Sequence, residues 1–178
     1  MNRKTFSVLS ILSLLGAGTI FAADGDKSKS ANVTVIFDHP ENFMDVKDAW
    51  IPTDAGRDAI LADIRAFVVD RASSRLQDGQ KLEVRFTDID LAGDFEPQLG
   101  PDFNGVRIIK DIYSPKIDLE FKLTGADGKV LSEGKRKLRD PFYLGRLVPA
   151  HNEPLCYEKD ILNDWLRSDI RIKAAAAH

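Results

Sequence analysis

Apolar and polar residues alternate along several short runs of this chain, which is the pattern of β-strands buried on one face. Leu82, Val84 and Phe86 alternate with polar neighbours, and beyond Asp88 the apolar positions shift by one residue to Ile89. Such a shift predicts a β-bulge near Thr87-Asp88. The pattern predicts strands over 32–37, 81–90, 106–113, 116–123 and 130–138, the last two joined by a hairpin turn over 124–128.

Two segments carry apolar residues at steps of three and four, which predicts amphipathic helices. The first begins at an N-cap on Thr53 or Asp54 and ends near Leu76. The second begins near Pro154, where the missing N–H is tolerated, and ends near Ser168. Their predicted buried positions are Ile60, Ile64, Phe67, Val68, Ala72 and Leu76 in the first helix, and Leu155, Ile161, Leu162, Trp165 and Leu166 in the second.

The remaining segments are predicted loops. Prolines exclude regular structure over 38–52, and segments 93–104 and 140–154 are irregular as well. The large apolar residues of the first loop are expected to pack beneath the domain: Phe43, Val46, Trp50 and Ile51. The resulting order, β-α-β-β-β-β-α, predicts an α+β fold in which a largely antiparallel sheet of four or five strands carries two helices on one face.

The first 22 residues have the layout of a cleaved export signal. Arg3 and Lys4 precede an uncharged apolar run over 6–21, which is short for a bilayer span, and small residues follow at Ala22 and Ala23. We expect cleavage near Ala22 and a soluble periplasmic product; an uncleaved membrane anchor is the alternative. The predicted organisation is a signal peptide over 1–22, a polar tether over 23–31, one domain over 32–171 and a frayed tail over 172–178.

Composition narrows the class of protein. Removing Arg3 and Lys4 with the leader leaves 23 basic against 28 acidic residues, a net charge of −5. A mildly acidic domain lacks the basic surface by which proteins bind nucleic acid or an anionic membrane. Cys156 is the only cysteine, so no intrachain disulfide forms. We expect it to pack in the core; a reactive thiol or an intermolecular bridge is the alternative.

Four carboxylates crowd one segment of the chain, namely Asp88, Asp90, Asp94 and Glu96. Hard cations such as calcium prefer oxygen ligands at this density, which makes the four residues candidate metal ligands. Their spacing is not that of a helix–loop–helix calcium site. The alternative is that Asp88 and Asp90 accept backbone N–H bonds at a strand end, where aspartate is favoured.

Catalytic motifs are weak. The chain has no Gly-x-Ser-x-Gly elbow and no phosphate-binding loop, and it indicates no cofactor. Of its histidines, His178 is terminal, while His39 and His151 lie in polar segments beside prolines. Cys156 with His151 is the one nucleophile–base pairing available, and its spacing across a helix start is poor. The sequence favours a protein that is not an enzyme.

Basic residues cluster late in the chain, at Lys135-Arg136-Lys137, Arg139 and Arg146. They could bind an anionic component of the cell envelope. The alternative, which the pattern favours, is that they protect an exposed strand edge against pairing with other sheets. Over 107–120 basic and acidic residues alternate, which indicates a solvated face of mixed charge.

Four stretches together resemble one bacterial family of exported proteins, domain of unknown function 3016. They are PENFMDV (40–46), LEVRFTDIDLAGD (82–94), RIIKDIYSPKIDLEFKLTGADGKVLSEGKRKLRD (107–140) and YEKDILNDWL (157–166). The resemblance runs from about Val33 to Leu166; it departs from the family at Ser114-Pro115 and over 140–152. It implies a periplasmic location. It implies no activity and no catalytic residues, because the family has none assigned.

The sequence therefore predicts a non-catalytic binding or accessory module of the cell envelope. Its expected partner is an envelope protein or an anionic envelope component, with strand 106–113 or strand 130–138 adding to a strand of the partner. The alternative is a metal-dependent binder or hydrolase that uses the acidic segment Asp88–Glu96.

Overall fold

The computed structural model describes residues 32–147 and 152–170. Single 3₁₀ turns lie at Pro40–Asn42, Pro97–Leu99, Pro101–Phe103 and Tyr143–Gly145. The predicted signal peptide, tether and tail, with His151 and His178, lie outside the described residues. In chain order the described helices and strands are β1 (Val33–Phe37), α1 (Asp54–Ser73), β2 (Lys81–Asp90), β3 (Asp94–Phe95), β4 (Arg107–Ile108), β5 (Lys116–Thr124), β6 (Val130–Arg139) and α2 (Cys156–Asp169).

The main sheet has four strands in the order β1-β2-β5-β6. Strand β1 is parallel to β2, whereas β2–β5 and β5–β6 are antiparallel. The α+β class is confirmed, and the sheet has four strands, but the expectation of a largely antiparallel sheet is only partly right because β1 and β2 are parallel. The reason is the connection through α1, because a helix between two neighbouring strands returns the chain to the same end of the sheet.

The predicted strand over 106–113 is wrong. Only Arg107–Ile108 is extended, and it pairs with β3 in a separate two-stranded sheet instead of joining the main one. The chain then turns, with the N–H of Tyr113 donating to the carbonyl of Lys110 at 2.9 Å. Two basic side chains of this segment, Arg107 and Lys110, bind buried carboxylates, as described below. The observed order is β-α-β-β-β-β-β-α.

Both helices cover one face of the main sheet, as predicted. Leu82, Val84 and Phe86 on β2 belong to one core with residues of α1 and α2. In α1 the most deeply buried stripe includes Leu61, while the predicted Ile60 and Phe67 are only partly buried at its edge. The opposite face of the sheet carries Glu83, Arg85, Glu120, Lys122, Glu133 and Lys135.

Two local predictions are confirmed, the bulge in β2 and the cap of α1, whereas α1 ends at Ser73 rather than near Leu76 and α2 begins at Cys156 rather than near Pro154. The register between β2 and β5 shifts between Phe86 and Asp88, where the bulge is predicted. The Thr53 hydroxyl caps α1 by accepting from the Gly56 N–H at 2.9 Å. Cys156 is buried, as expected of a core residue. In the part of the chain that the structure describes, no helix combines the length and the apolar character that crossing a bilayer requires.

Candidate functional site

Two loops lie against one end of the main sheet and against each other; residues 38–52 and 91–115 together are called the loop layer. The N–H of Asp45 donates to the Ile89 carbonyl at 3.0 Å, and the Asp45 carbonyl accepts from the Leu91 N–H at 3.1 Å. The N–H of Trp50 donates to the Asn104 carbonyl at 2.9 Å. These backbone bonds hold the first loop beside the end of β2 and beside the second loop.

Arg107 joins the two loops from inside. Its guanidinium donates to both carboxylate oxygens of buried Asp45, at 2.7 and 3.2 Å. It also donates to the carbonyls of Gly93 at 2.8 Å and Lys47 at 3.0 Å. The same group lies 4.7 Å from the centre of the Phe95 ring, a cation–π distance. Because a bidentate arginine–carboxylate contact fixes orientation as well as distance, this side chain sets the position of both loops.

The buried carboxylate of Glu96 forms a second contact within the loop layer, with the more exposed Lys110. This carboxylate accepts from Lys110 Nζ at 2.5 and 2.7 Å and from the Tyr113 hydroxyl at 3.0 Å. The hydrogen bond from Lys110 lowers the pKa of Glu96, and the same contact raises the pKa of Lys110. The Tyr143 hydroxyl donates to the Lys110 carbonyl at 2.6 Å. The second loop is thus held both by charge and by the segment that precedes α2.

Glu158, in the first turn of α2, connects that helix to the loop layer. It is 2% exposed, and its Oε1 accepts from the Ala92 N–H at 2.6 Å. Burial raises the pKa of Glu158, because the charged carboxylate loses its solvation there. This contact fixes the beginning of the second loop to the helix that closes the core.

Large apolar side chains stand on the outside of this fixed layer. Trp50, Ile51, Phe103 and Val106 are all exposed; they are called the apolar patch. The bond between the Trp50 N–H and the Asn104 carbonyl brings their two segments together. The expectation that Trp50 and Ile51 pack beneath the domain is therefore wrong, although Phe43 and Val46 are buried as predicted.

A local turn explains why Trp50 and Ile51 face outwards. The Asp48 carboxylate accepts from the Thr53 N–H at 3.0 Å and from the Thr53 hydroxyl at 2.8 Å. Both bonds favour the charged carboxylate and lower the pKa of Asp48. The chain between these two residues forms a closed turn, and its apolar side chains lie on the solvent side.

A cavity of about 460 Å³ lies between the loop layer, α1 and the start of α2. Burial raises the pKa of the Cys156 thiol on its wall, which disfavours the nucleophilic thiolate. The cavity can hold apolar groups, but its chemistry does not indicate a nucleophilic reaction. Its apolar lining comes mainly from Ile60, Leu91, Phe95, Ile109 and Leu155.

The four predicted metal ligands have separate partners. Asp88 accepts from the Met44 N–H at 2.8 Å, and Asp90 forms an ion pair with Lys116 at 2.7 Å. Asp94 accepts from the Phe95 N–H at 2.7 Å, and Glu96 binds Lys110 and Tyr113. Within residues 32–147 and 152–170, no group of three or more His, Cys, Asp or Glu side chains is placed to hold a metal ion. The structure does not bring these carboxylates together.

The basic cluster lies on and beside β6, and its members contact acidic side chains. Lys135 is 2.6 Å from Glu120, Arg139 is 2.5 Å from Asp118, and Arg136 binds Asp169 at 2.9 Å. Arg146 contacts Asp140, Asp160 and Asp164. Of the other predicted residues, His39 is exposed beside Glu41, and the geometry of Cys156 with His151 lies outside the described residues.

The sequence does not reveal the residues that organise this site. Arg107 and Lys110 fall in the segment assigned to a solvated face, yet both bind buried carboxylates. Arg107 and Asp45 are 62 residues apart, so no local pattern connects them. Glu158 occupies the first turn of a helix, where a carboxylate is favoured in any case, and this position gives no sign of its burial.

The comparisons with known proteins agree with the resemblance noted in the sequence. The chain matches the family model described as Protein of unknown function (DUF3016) over residues 31–168. Neither a curated protein nor a solved structure matches it.

Proposed function

We propose that this protein, which belongs to the family described as Protein of unknown function (DUF3016), is a non-catalytic binding module of the bacterial cell envelope that acts in the periplasm. The observation that carries the proposal is the apolar patch, which stands on loops fixed by buried charge contacts. Its partner is a protein with a complementary apolar surface.

Burial of an apolar surface normally drives folding, so large side chains left in water on one surface favour an interaction site. Ile51 is 78% exposed, and Trp50 and Phe103 belong to the aromatic types enriched in protein interfaces. Trp50 and Phe103 lie on different loops that a backbone bond holds together. The two segments therefore lie side by side, and the proposal treats their exposed side chains as one surface.

The fixed loop layer strengthens this argument. Binding to a mobile loop loses affinity, because the loop must be ordered on association. Here Arg107 on Asp45 and Lys110 on Glu96 hold the second loop in place before any partner arrives. Such charge pairs on buried carboxylates add little net stability, and their proposed role here is to hold the loop in one conformation. A preorganised apolar surface is the arrangement expected of a binding module.

The test compares two variants that are chemically matched. Val106 in the patch and Val130 at the far end of the sheet are each 46% exposed. The tagged wild-type protein, Val106→Asp and Val130→Asp are expressed in the native host, cross-linked in intact cells and purified, and the attached proteins are quantified by mass spectrometry. We expect a partner whose yield is the same with wild type and Val130→Asp and falls about tenfold with Val106→Asp. A partner bound at β6 would keep its yield with Val106→Asp. Equal yields from all three, at equal abundance and melting temperature, would reject the patch.

The periplasmic location is tested separately. Osmotic-shock fractions are analysed by intact-mass spectrometry for a chain that begins near residue 23. Recovery of the shortened chain in the periplasmic fraction supports the proposal. Recovery of the full-length chain in the cytoplasmic or membrane fraction contradicts it.

A further inference from the structure

The edge strand β6 forms a second surface, distinct from the apolar patch. It is ten residues long and lies at the end of the main sheet, paired with β5 alone among the described strands. An edge strand offers backbone N–H and C=O groups to another strand. The carbonyls of Lys135 and Leu138 accept from the side chains of Arg136 and Arg139. Because a strand has a period of two residues, these two carbonyls point to opposite sides of β6, so at most one of them is covered on the free edge.

Charged residues form rows across the open face of the sheet that end at β6. In two of these rows the sign of the charge alternates from strand to strand, whereas the row that ends at Lys137 has Asp88 opposite Asp118. One row runs from Glu83 through Lys122 to Glu133. The next runs from Arg85 through Glu120 to Lys135, where the ammonium lies 2.6 Å from the Glu120 carboxylate. Directly opposite residues of unlike charge attract each other across a sheet. A row that ends in a lysine on β6 therefore favours a carboxylate at the next strand position.

The side chains of Lys135 and Lys137 are exposed enough to contact an additional strand. Lys135 is 83% exposed, and Lys137 is 79% exposed and 3.9 Å from Asp118. Both side chains stand on the open face, with their cross-strand carboxylates on the β5 side only. A carboxylate on a fifth strand would face each lysine from the other side.

We propose that β6 binds an extended acidic segment of another protein as an added strand of the main sheet, with carboxylates in the rows of Lys135 and Lys137. The same charges disfavour a second copy of this chain, because β6 carries four basic residues and one acidic residue and would repel itself. The basic edge thus selects against self-pairing and for an acidic strand. Since β6 and the apolar patch are different surfaces, this proposal and the proposed function fail independently.

The experiment uses two synthetic peptides, acidic TVETETEVT and basic TVKTKTKVT, with the mature chain. Fluorescence anisotropy measures affinity, and amide NMR shifts with hydrogen exchange locate the bound strand. We expect the acidic peptide to bind about tenfold or more tightly than the basic one, more weakly as salt rises, with shifts and protection on the β6 amides.

Two double variants test the lysines. Lys135→Glu with Lys137→Glu should reverse the peptide preference. Lys81→Glu with Lys129→Glu changes net charge equally at exposed positions away from the middle of β6, and it should leave the preference unchanged. Because all four side chains are at the surface, melting curves should show that both variants fold.

Several results would overturn the proposal. One is equal binding of the two peptides, or no binding of either at millimolar concentration; another is a set of shifts outside β6. Binding of phosphatidylglycerol vesicles through Lys135 and Lys137, without peptide binding, would assign the edge to a lipid surface instead. A dimer that sediments as such and is lost in the Lys135→Glu/Lys137→Glu variant would assign it to a second copy of the chain.

Discussion

At the scale of single residues, a few charged side chains decide the conformation of the loop layer. The Arg107 guanidinium donates to the Asp45 carboxylate and to two backbone carbonyls, and the Glu158 carboxylate accepts from the Ala92 N–H. Each contact satisfies a group that would otherwise be buried without a partner. Leaving a buried charge unpaired costs far more free energy than pairing it gains. A substitution that removes one partner of such a contact should therefore be strongly destabilising.

Arg107→Met should destabilise the protein by about 2–4 kcal/mol, because it leaves the buried Asp45 carboxylate without its bidentate partner. Urea unfolding followed by circular dichroism measures the change. Lys47→Met is the control: Lys47 lies 3.8 Å from the same carboxylate but is more exposed, so it should cost less than about 1 kcal/mol. Similar losses of unfolding free energy in the two variants would contradict the assignment of Arg107 as the main partner of the Asp45 carboxylate.

Glu158→Gln should show a stability difference that depends on pH. Burial raises the pKa of Glu158 above its ordinary value of 4.5, so the folded protein holds the proton more tightly than the unfolded chain does. The contribution of Glu158 to the free energy of unfolding is therefore present below pH 4.5 and is lost as the pH rises through the raised pKa. Glutamine does not ionise, and its carbonyl can still accept from the Ala92 N–H.

The unfolding free energy of Glu158→Gln, relative to wild type, should therefore increase between pH 4 and pH 8. Urea titrations of both proteins at a series of pH values give this difference directly, and effects of other titrating groups largely cancel. A difference that is flat with pH, or that falls as pH rises, would contradict the assignment of Glu158 as a carboxyl disfavoured by burial.

At the scale of elements, local periodicity is a reliable guide where an element has one apolar face. Strands β2 and β5 and the two helices follow their patterns, and the slip at Asp88 marks the bulge. The loop layer has no such periodicity. Segment 106–113 contains strand-forming residues, but the partners of Arg107 and Lys110 lie elsewhere in the chain and turn it away from the main sheet.

Gly93 tests the packing of the second loop. Its φ of +77° suits glycine, and an added Cβ would stand 2.8 Å from the Ile108 carbonyl oxygen. Gly128 has a similar φ of +80° with nothing near its missing Cβ. Both alanine variants should lose about 1 kcal/mol to backbone strain, and Gly93→Ala should lose about 1–3 kcal/mol more to crowding. Equal denaturation midpoints for the two variants would show that crowding at β4 is negligible.

At the scale of the whole molecule, one core joins the sheet and both helices, and the loop layer closes one end of it. The charges on the open face and on β6 largely pair within the sheet, while the apolar patch stays in water. The two proposals therefore concern two different surfaces. Cys156 is the first residue of α2 and is buried, so the accessibility of its thiol reports on opening of the fold.

Labelling of Cys156 with a thiol reagent such as dithionitrobenzoate should therefore require opening of the structure. Cys156 is 9% exposed and burial raises the pKa of its thiol, so at pH 8 the native protein should react about a hundredfold or more slowly than the chain in urea. Absorbance at 412 nm follows the reaction. Rapid labelling without denaturant would indicate an accessible, reactive thiol instead.

The sequence by itself determined the helices, the long strands, the bulge, the α+β class and the family, because each depends on a pattern of neighbouring residues. Only the tertiary structure decided that β1 is parallel to β2, that 106–113 leaves the main sheet, and that Trp50 and Ile51 face solvent. The physical reason is the separation along the chain of the residues that contact each other. Asp45 meets Arg107, and Glu158 meets Ala92, across more than 60 residues, and such contacts exist only after the chain has folded.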